Sequence, residues 1–117
     1  MSNERAHTHH TTCMRTSVIT LSGEFDVDNE IDLHIEAQWA LRAQEPRTLI
    51  DVSGVSFADS TVLNWVLRTL LAHRTAGKQF AVCGPLHPFL ARIFDVTGVL
   101  PALTIYPSLS EALSDTT

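Results

Sequence analysis

Apolar residues along the chain fall into two spacings, one suited to strands and one to helices. Residues 7–14, His-Thr-His-His-Thr-Thr-Cys-Met, are rich in β-branched threonine and predict an edge strand. Ser17-Val-Ile-Thr-Leu21 predicts a second strand, closed by Ser22-Gly23. Asp26, Asp28 and Asn29 then offer helix-capping side chains, with Glu30 and Asp32 in the first turn. Ile31, Ile35 and Trp39 recur every fourth residue and mark one apolar helix face, widened by Ala37, Ala40 and Leu41. Pro46 follows the end of that helix. Arg47-Thr-Leu-Ile-Asp-Val52 reads as a short continuous strand, as in a parallel sheet covered on both faces.

A short polar turn leads from that strand into a helix from about Ser60 to Ala76, with Leu63, Val66, Leu67, Leu70 and Leu71 at helical spacing. Basic residues occupy its last turn and Gly77 lies just beyond. Lys78-Gln-Phe-Ala-Val-Cys83 predicts another strand. Pro85 and Pro88 precede a third helix, Phe89 to Val96, which stops before Gly98. Leu103-Thr-Ile-Tyr106 reads as a last strand. Ser108 to Leu113 reads as a last helix, with Glu111 at capping-box spacing from Ser108. The order β-β-α-β-α-β-α-β-α predicts an α/β fold: a mixed, mostly parallel sheet packed with helices. Residues 1–6 read as a flexible lead and residues 7–115 as one domain.

Composition narrows the function. Hydrophobic residues make up 44% of the chain, enough for a core. The net charge of −5, from 8 basic and 13 acidic residues, argues against nucleic acid and against an anionic membrane surface as partner. Cys13 and Cys83 have no CxxC spacing, which fits a reducing cytoplasm better than a disulfide framework. No apolar run approaches the roughly eighteen residues of a membrane span, and the polar N-terminus lacks the core of a signal peptide. A cytoplasmic protein without direct membrane insertion is expected.

The chemistry on offer is sparse. Asp59, Ser60 and Thr61 stand where the second long helix must begin. There, unpaired N–H groups and the helix dipole favour negative charge. Ser60 is either a plain cap or an acceptor of phosphate. His7, His9 and His10 lie on a polar segment without further ligands at diagnostic spacing, so no metal is expected. His34, His73 and His87 are isolated and read as surface or capping residues. No Gly-x-Ser-x-Gly elbow and no glycine-rich phosphate loop occurs. Neither an enzyme nor a cofactor is expected. Trp39 reads as a packing residue. Trp65 points off the centre of its helix stripe and reads as part of an exposed contact patch.

Three segments resemble the STAS domain, the family named for sulphate transporters and anti-sigma factor antagonists. Leu21-Ser-Gly-Glu-Phe-Asp26 is similar to its strand ending in Gly-Glu-Leu-Asp. Leu49-Ile-Asp-Val-Ser-Gly-Val-Ser-Phe-Ala-Asp-Ser-Thr-Val-Leu63 is similar to its strand followed by Asp-Ser-Ser-Gly-Leu. Ala91-Arg-Ile-Phe-Asp-Val-Thr-Gly-Val-Leu100 is similar to its Arg-Leu-Phe-x-x-Ser/Thr-Gly-Leu segment.

The resemblance implies an anti-sigma factor antagonist. Such a protein binds an anti-sigma factor that is also a serine/threonine kinase of the histidine-kinase-like ATPase fold, and so releases a sigma factor. It implies Ser60 as phosphoacceptor, with Thr61 a second hydroxyl beside it. Asp26 and Asp59 are implied as flanking acids, and Asp26, Ser56, Asp59, Ser60, Thr61 and Val62 as the partner surface. Val62 stands where the family pattern has glycine, and so places a β-branched side chain at the expected point of approach. That favours an alternative: a non-switching STAS subunit of a stress-signalling scaffold or of a lipid-transporter complex.

Overall fold

The computed structural model describes residues 5–98 and 100–115. The flexible lead expected over residues 1–6 lies mostly outside this range. Among these residues, five strands run in the order of the chain: β1 (His7–Cys13), β2 (Thr16–Phe25), β3 (Arg47–Ala58), β4 (Gln79–Cys83) and β5 (Ile105–Tyr106). β1 pairs antiparallel to β2, and every later pairing is parallel. Four helices connect or follow them: α1 (Glu30–Arg42), α2 (Ser60–Thr75), α3 (Pro88–Val96) and α4 (Leu109–Ser114). The element order is the predicted one, and the fold is α/β with a mixed, mostly parallel sheet.

Alternation along the strands feeds two cores. Ile19 and Leu21 of β2, Ile50 and Val52 of β3, and Phe80 and Val82 of β4 join residues of α1, α2 and α3 in the larger core. Leu49 of β3 with Ala81 and Cys83 of β4 point the other way, onto Ala112, Leu109 and Leu113 of α4. The continuous apolar run in β3 is therefore explained by cover on both faces. α4 is held by Arg47, whose guanidinium donates to the carbonyls of Ala112 at 2.8 Å and Asp115 at 2.7 Å. Ser108 caps it as its spacing predicts, accepting the Glu111 N–H at 3.1 Å.

Several expectations are corrected. β2 does not close at Ser22-Gly23, and β3 does not turn after Val52. Both run on as a parallel pair to Phe25 and Ala58, with register shifts after Thr20 and Gly23. Gly54 serves this extension, and Gly23 makes room on β2 for the segment that leads into β1. A side chain on Gly54 would meet the Ser22 Cβ at 2.8 Å. A side chain on Gly23, which sits at φ +95°, would run into the Arg5 carbonyl oxygen.

In α1 the buried face is Leu33, Glu36, Ala37 and Ala40. Ile31 and Ile35 are 75% and 57% exposed, opposite to the face the four-residue spacing suggested for packing. Two small alanines let the helix lie close to the sheet. The buried Glu36 carboxylate is answered by His10 Nδ1 of β1 at 2.6 Å, and the His10 ring stacks on Trp39 with centroids 4.0 Å apart. In α2, Trp65 is buried rather than part of an exposed patch, because α2 packs against both the sheet and α1. Leu71 is exposed instead. His73, expected at the surface, is fully buried between Thr69 and Thr48.

Candidate functional site

The candidate surface lies at the carboxyl end of the long β2–β3 pair. β4 pairs with β3 only as far as Asp51, so the last seven residues of β3 project beyond it with β2 alone. Phe25 and Ala58 are register partners at the tip. Asp26 and Asp59 therefore leave adjacent parallel strands at the same level. The Asp59 N–H donates to the Phe25 carbonyl at 3.3 Å, which stitches the two exits together. Ligand and partner sites in parallel sheets commonly sit at this edge, where the connections diverge.

Each acid caps a helical segment. Asp26 Oδ1 accepts the Asp28 N–H at 2.9 Å, while the Asp26 N–H donates to Asn29 Oδ1 at 2.9 Å. These bonds fix one turn of 3-10 helix, Val27–Asn29, ahead of α1. Asp59 is the N-cap of α2, and its Oδ1 accepts the Thr61 N–H at 2.8 Å. The Val62 N–H donates to the Asp59 carbonyl at 3.3 Å. The cap is thus Asp59, not Ser60.

Ser60 is the first residue of α2 and is exposed, and its hydroxyl enters no hydrogen bond among the described residues. That frees it from the plain capping role. The anion-favouring position at the start of α2 is already filled by the Asp59 carboxylate.

The other expected surface residues divide. Thr61 is half-buried, with its N–H committed to Asp59. Ser56 lies on β3, not in a turn, and is half-buried. Val62 is fully buried in the core. The steric role expected of it is corrected, because its side chain points away from the surface that Ser60 presents. Sequence reasoning missed an aromatic pair. Phe57 and Phe89 are 41% and 43% exposed, with ring centroids 5.0 Å apart. Phe57 shares the parity of the buried Val55, so strict alternation would turn it inward; the register shift that skips Ser56 turns it outward instead, and no local pattern in the sequence signals it. With Val27, which is also exposed, the pair gives the acidic edge an apolar component.

Little else has chemistry to offer. Cys83 is buried, and burial first, with the nearby Asp51 charge second, pushes its thiol up to about 12. It is no nucleophile near neutrality. His87 caps α3 by accepting the Phe89 N–H at 3.2 Å. Among the described residues, no group of three or more His, Cys, Asp or Glu is placed to hold a metal ion. No helix among them is long and apolar enough to cross a membrane.

The fold is an α/β domain that presents exposed acidic and aromatic side chains and a serine at a helix start. The chain belongs to the STAS domain family: the family model described as Mlab, STAS domain, matches residues 11–102. No curated protein matches the chain.

Solved structures agree. An anti-sigma factor antagonist from Mycobacterium paratuberculosis is 25% identical, with a TM-score of 0.80 over 97% of this chain and 95% of that one. The anti-sigma factor antagonist SpoIIAA in its unphosphorylated form is 20% identical, with a TM-score of 0.78 over 92% of this chain and 94% of that one. The Bacillus cell fate determinant SpoIIAA in its phosphorylated form is 18% identical, with a TM-score of 0.70 over 94% and 97%.

Proposed function

We propose that this protein is an anti-sigma factor antagonist, working in the cytoplasm by regulated binding rather than catalysis. Its partner is an anti-sigma factor with serine/threonine kinase activity, and Ser60 is the phosphoacceptor. The observation that carries this reading is the exposed Ser60 hydroxyl, without a hydrogen bond among the described residues and directly after the Asp59 cap at the start of α2. Likeness to anti-sigma factor antagonists across nearly the whole chain supports it.

In the reaction, the γ-phosphoryl group of ATP passes to Ser60 Oγ. The hydroxyl proton leaves to a base of the kinase, and ADP departs. The product carries about −1.5 to −2 extra charges at neutral pH. Free in solution, that charge is hydrated and the fold persists. In a docked interface it is desolvated beside Asp26 and Asp59. Burying an uncompensated charge costs about 3–5 kcal/mol, or roughly two to three and a half orders of magnitude in Kd. The inward Val62 supports the switch over the non-switching alternative, because it leaves the approach to Ser60 unobstructed.

The test is recovery of the partner from native extract, addition of ATP, and intact mass of wild type and Ser60→Ala. Phosphate on wild type alone, together with loss of partner binding in Ser60→Asp, is the expected result. A transporter ATPase as partner, or unaltered binding by Ser60→Asp, sinks the switch in favour of the constitutive subunit.

A further inference from the structure

The apolar face of α1 is left facing solvent. With each residue advancing about 100° around the helix axis, Ile31, Ile35 and Trp39 form one stripe. It lies opposite the buried Leu33, Glu36, Ala37 and Ala40. Ile31 and Ile35 are among the most exposed large hydrophobic side chains of the protein. Trp39 is half-buried, packed against the core and stacked on His10, so only its remaining edge adds to the stripe beside Ile31 and Ile35. Contiguous apolar surface of this kind marks a contact with another molecule.

The charges at its ends say which. Asp28 and Asp32 lie at the amino end of the stripe and Arg42 at its carboxyl end. None of the three has an ion-pair partner among the described residues. Such a stripe is complementary to a second copy of itself laid antiparallel. A two-fold axis through Ile35 sets Ile35 against Ile35 and Ile31 against Trp39. It also brings each Arg42 onto the partner's acidic end. An isologous interface requires this self-complementarity. A parallel arrangement sets like charges together.

We propose that this face of α1 is a homodimer interface, with two α1 helices packed antiparallel. One helix of 13 residues is about 20 Å long, and its stripe falls short of the roughly 800 Å² per partner of a standard interface. The dimer is accordingly weak. It is independent of phosphorylation, since Ser60 is not on this face.

Sedimentation velocity from about 1 µM to about 1 mM tests it. Wild type shifts from monomer to dimer over that range. Ile35→Glu, which sets two carboxylates face to face on the axis, weakens association at least tenfold with an unchanged circular dichroism spectrum. Two charge variants separate interface from fold. Arg42→Glu alone and Asp28→Lys/Asp32→Lys alone are each monomeric, but a mixture of the two forms a heterodimer. Monomeric wild type at every concentration, an undiminished Ile35→Glu dimer, or a mixture that stays monomeric overturns the proposal. The first of these assigns the stripe to a different protein.

Discussion

Val62 shows how a residue's meaning changes once its direction is known. In the sequence it is a departure from a family glycine beside Ser60, the proposed phosphoacceptor. In the structure its isopropyl group is fully buried beneath α2. Restoring the glycine therefore does not restore a surface. It removes a buried side chain and adds backbone freedom inside the first turn of the helix. Transfer and helix-propensity terms together give a loss of about 2–3 kcal/mol. Val62→Gly is expected to lower the urea midpoint by the corresponding amount while phosphorylation of Ser60 by the recovered kinase proceeds. Unchanged stability with a gain in phosphorylation rate would return Val62 to a role at the surface. The neighbouring Ser60 was legible as a helix-start residue. That Asp59 takes the cap and leaves the serine hydroxyl unengaged was not, because Asp, Ser and Thr in succession are all acceptable caps.

At the scale of elements, order and type were legible throughout, since β-branched runs and helical spacing alternate cleanly. The extents of β2 and β3 were not. Ser22-Gly23 and Ser53-Gly54 have turn composition, and only the folded chain shows that Gly54 permits the close approach of β2 and that Gly23 admits the segment leading into β1. The face of α1 was misread for a related reason. Spacing located the large apolar residues, but the helix buries its alanines and one carboxylate because β1 brings His10 to meet Glu36. That contact ties an edge strand to a helix and makes a prediction about both. His10→Ala leaves a buried acceptor unmet and should cost about 1–3 kcal/mol. Adding Glu36→Leu to it should recover much of the loss, since the buried polar group is then gone. Chemical denaturation of the single and double variants reads the coupling directly. Strict additivity would mean that Glu36 finds water or another donor once His10 is removed.

For the whole molecule, the two-sided burial of β3 makes the sheet dependent on α2 above it and α4 below, and His73 joins the first of these to the sheet. Its Nδ1–H donates to the Thr69 carbonyl at 2.8 Å, so Nε2 accepts from the Thr48 hydroxyl at 2.8 Å. A histidine in the last turn of a helix reads as a dipole-facing surface residue, and nothing local in the sequence reveals a threonine of β3 behind it. Burial, more than the opposing hydrogen bond to Thr69 or the Lys78 charge, holds the imidazole below its ordinary value of 6.5. Below that pH the unfolded chain takes up a proton on this residue and the folded chain does not. The stability that neutral His73 contributes is therefore complete above about pH 6.5 and is lost as pH falls through and below it, until the folded imidazole itself titrates. Urea unfolding at about pH 7.5 and about pH 5, for wild type and His73→Gln, isolates the effect because the carboxylates are common to both. Wild type is expected to lose more stability on acidification than the variant. Equal losses would show that water or a rearranged Thr48 accommodates the charged ring, and that the link between α2 and β3 is not a neutral hydrogen-bonded one.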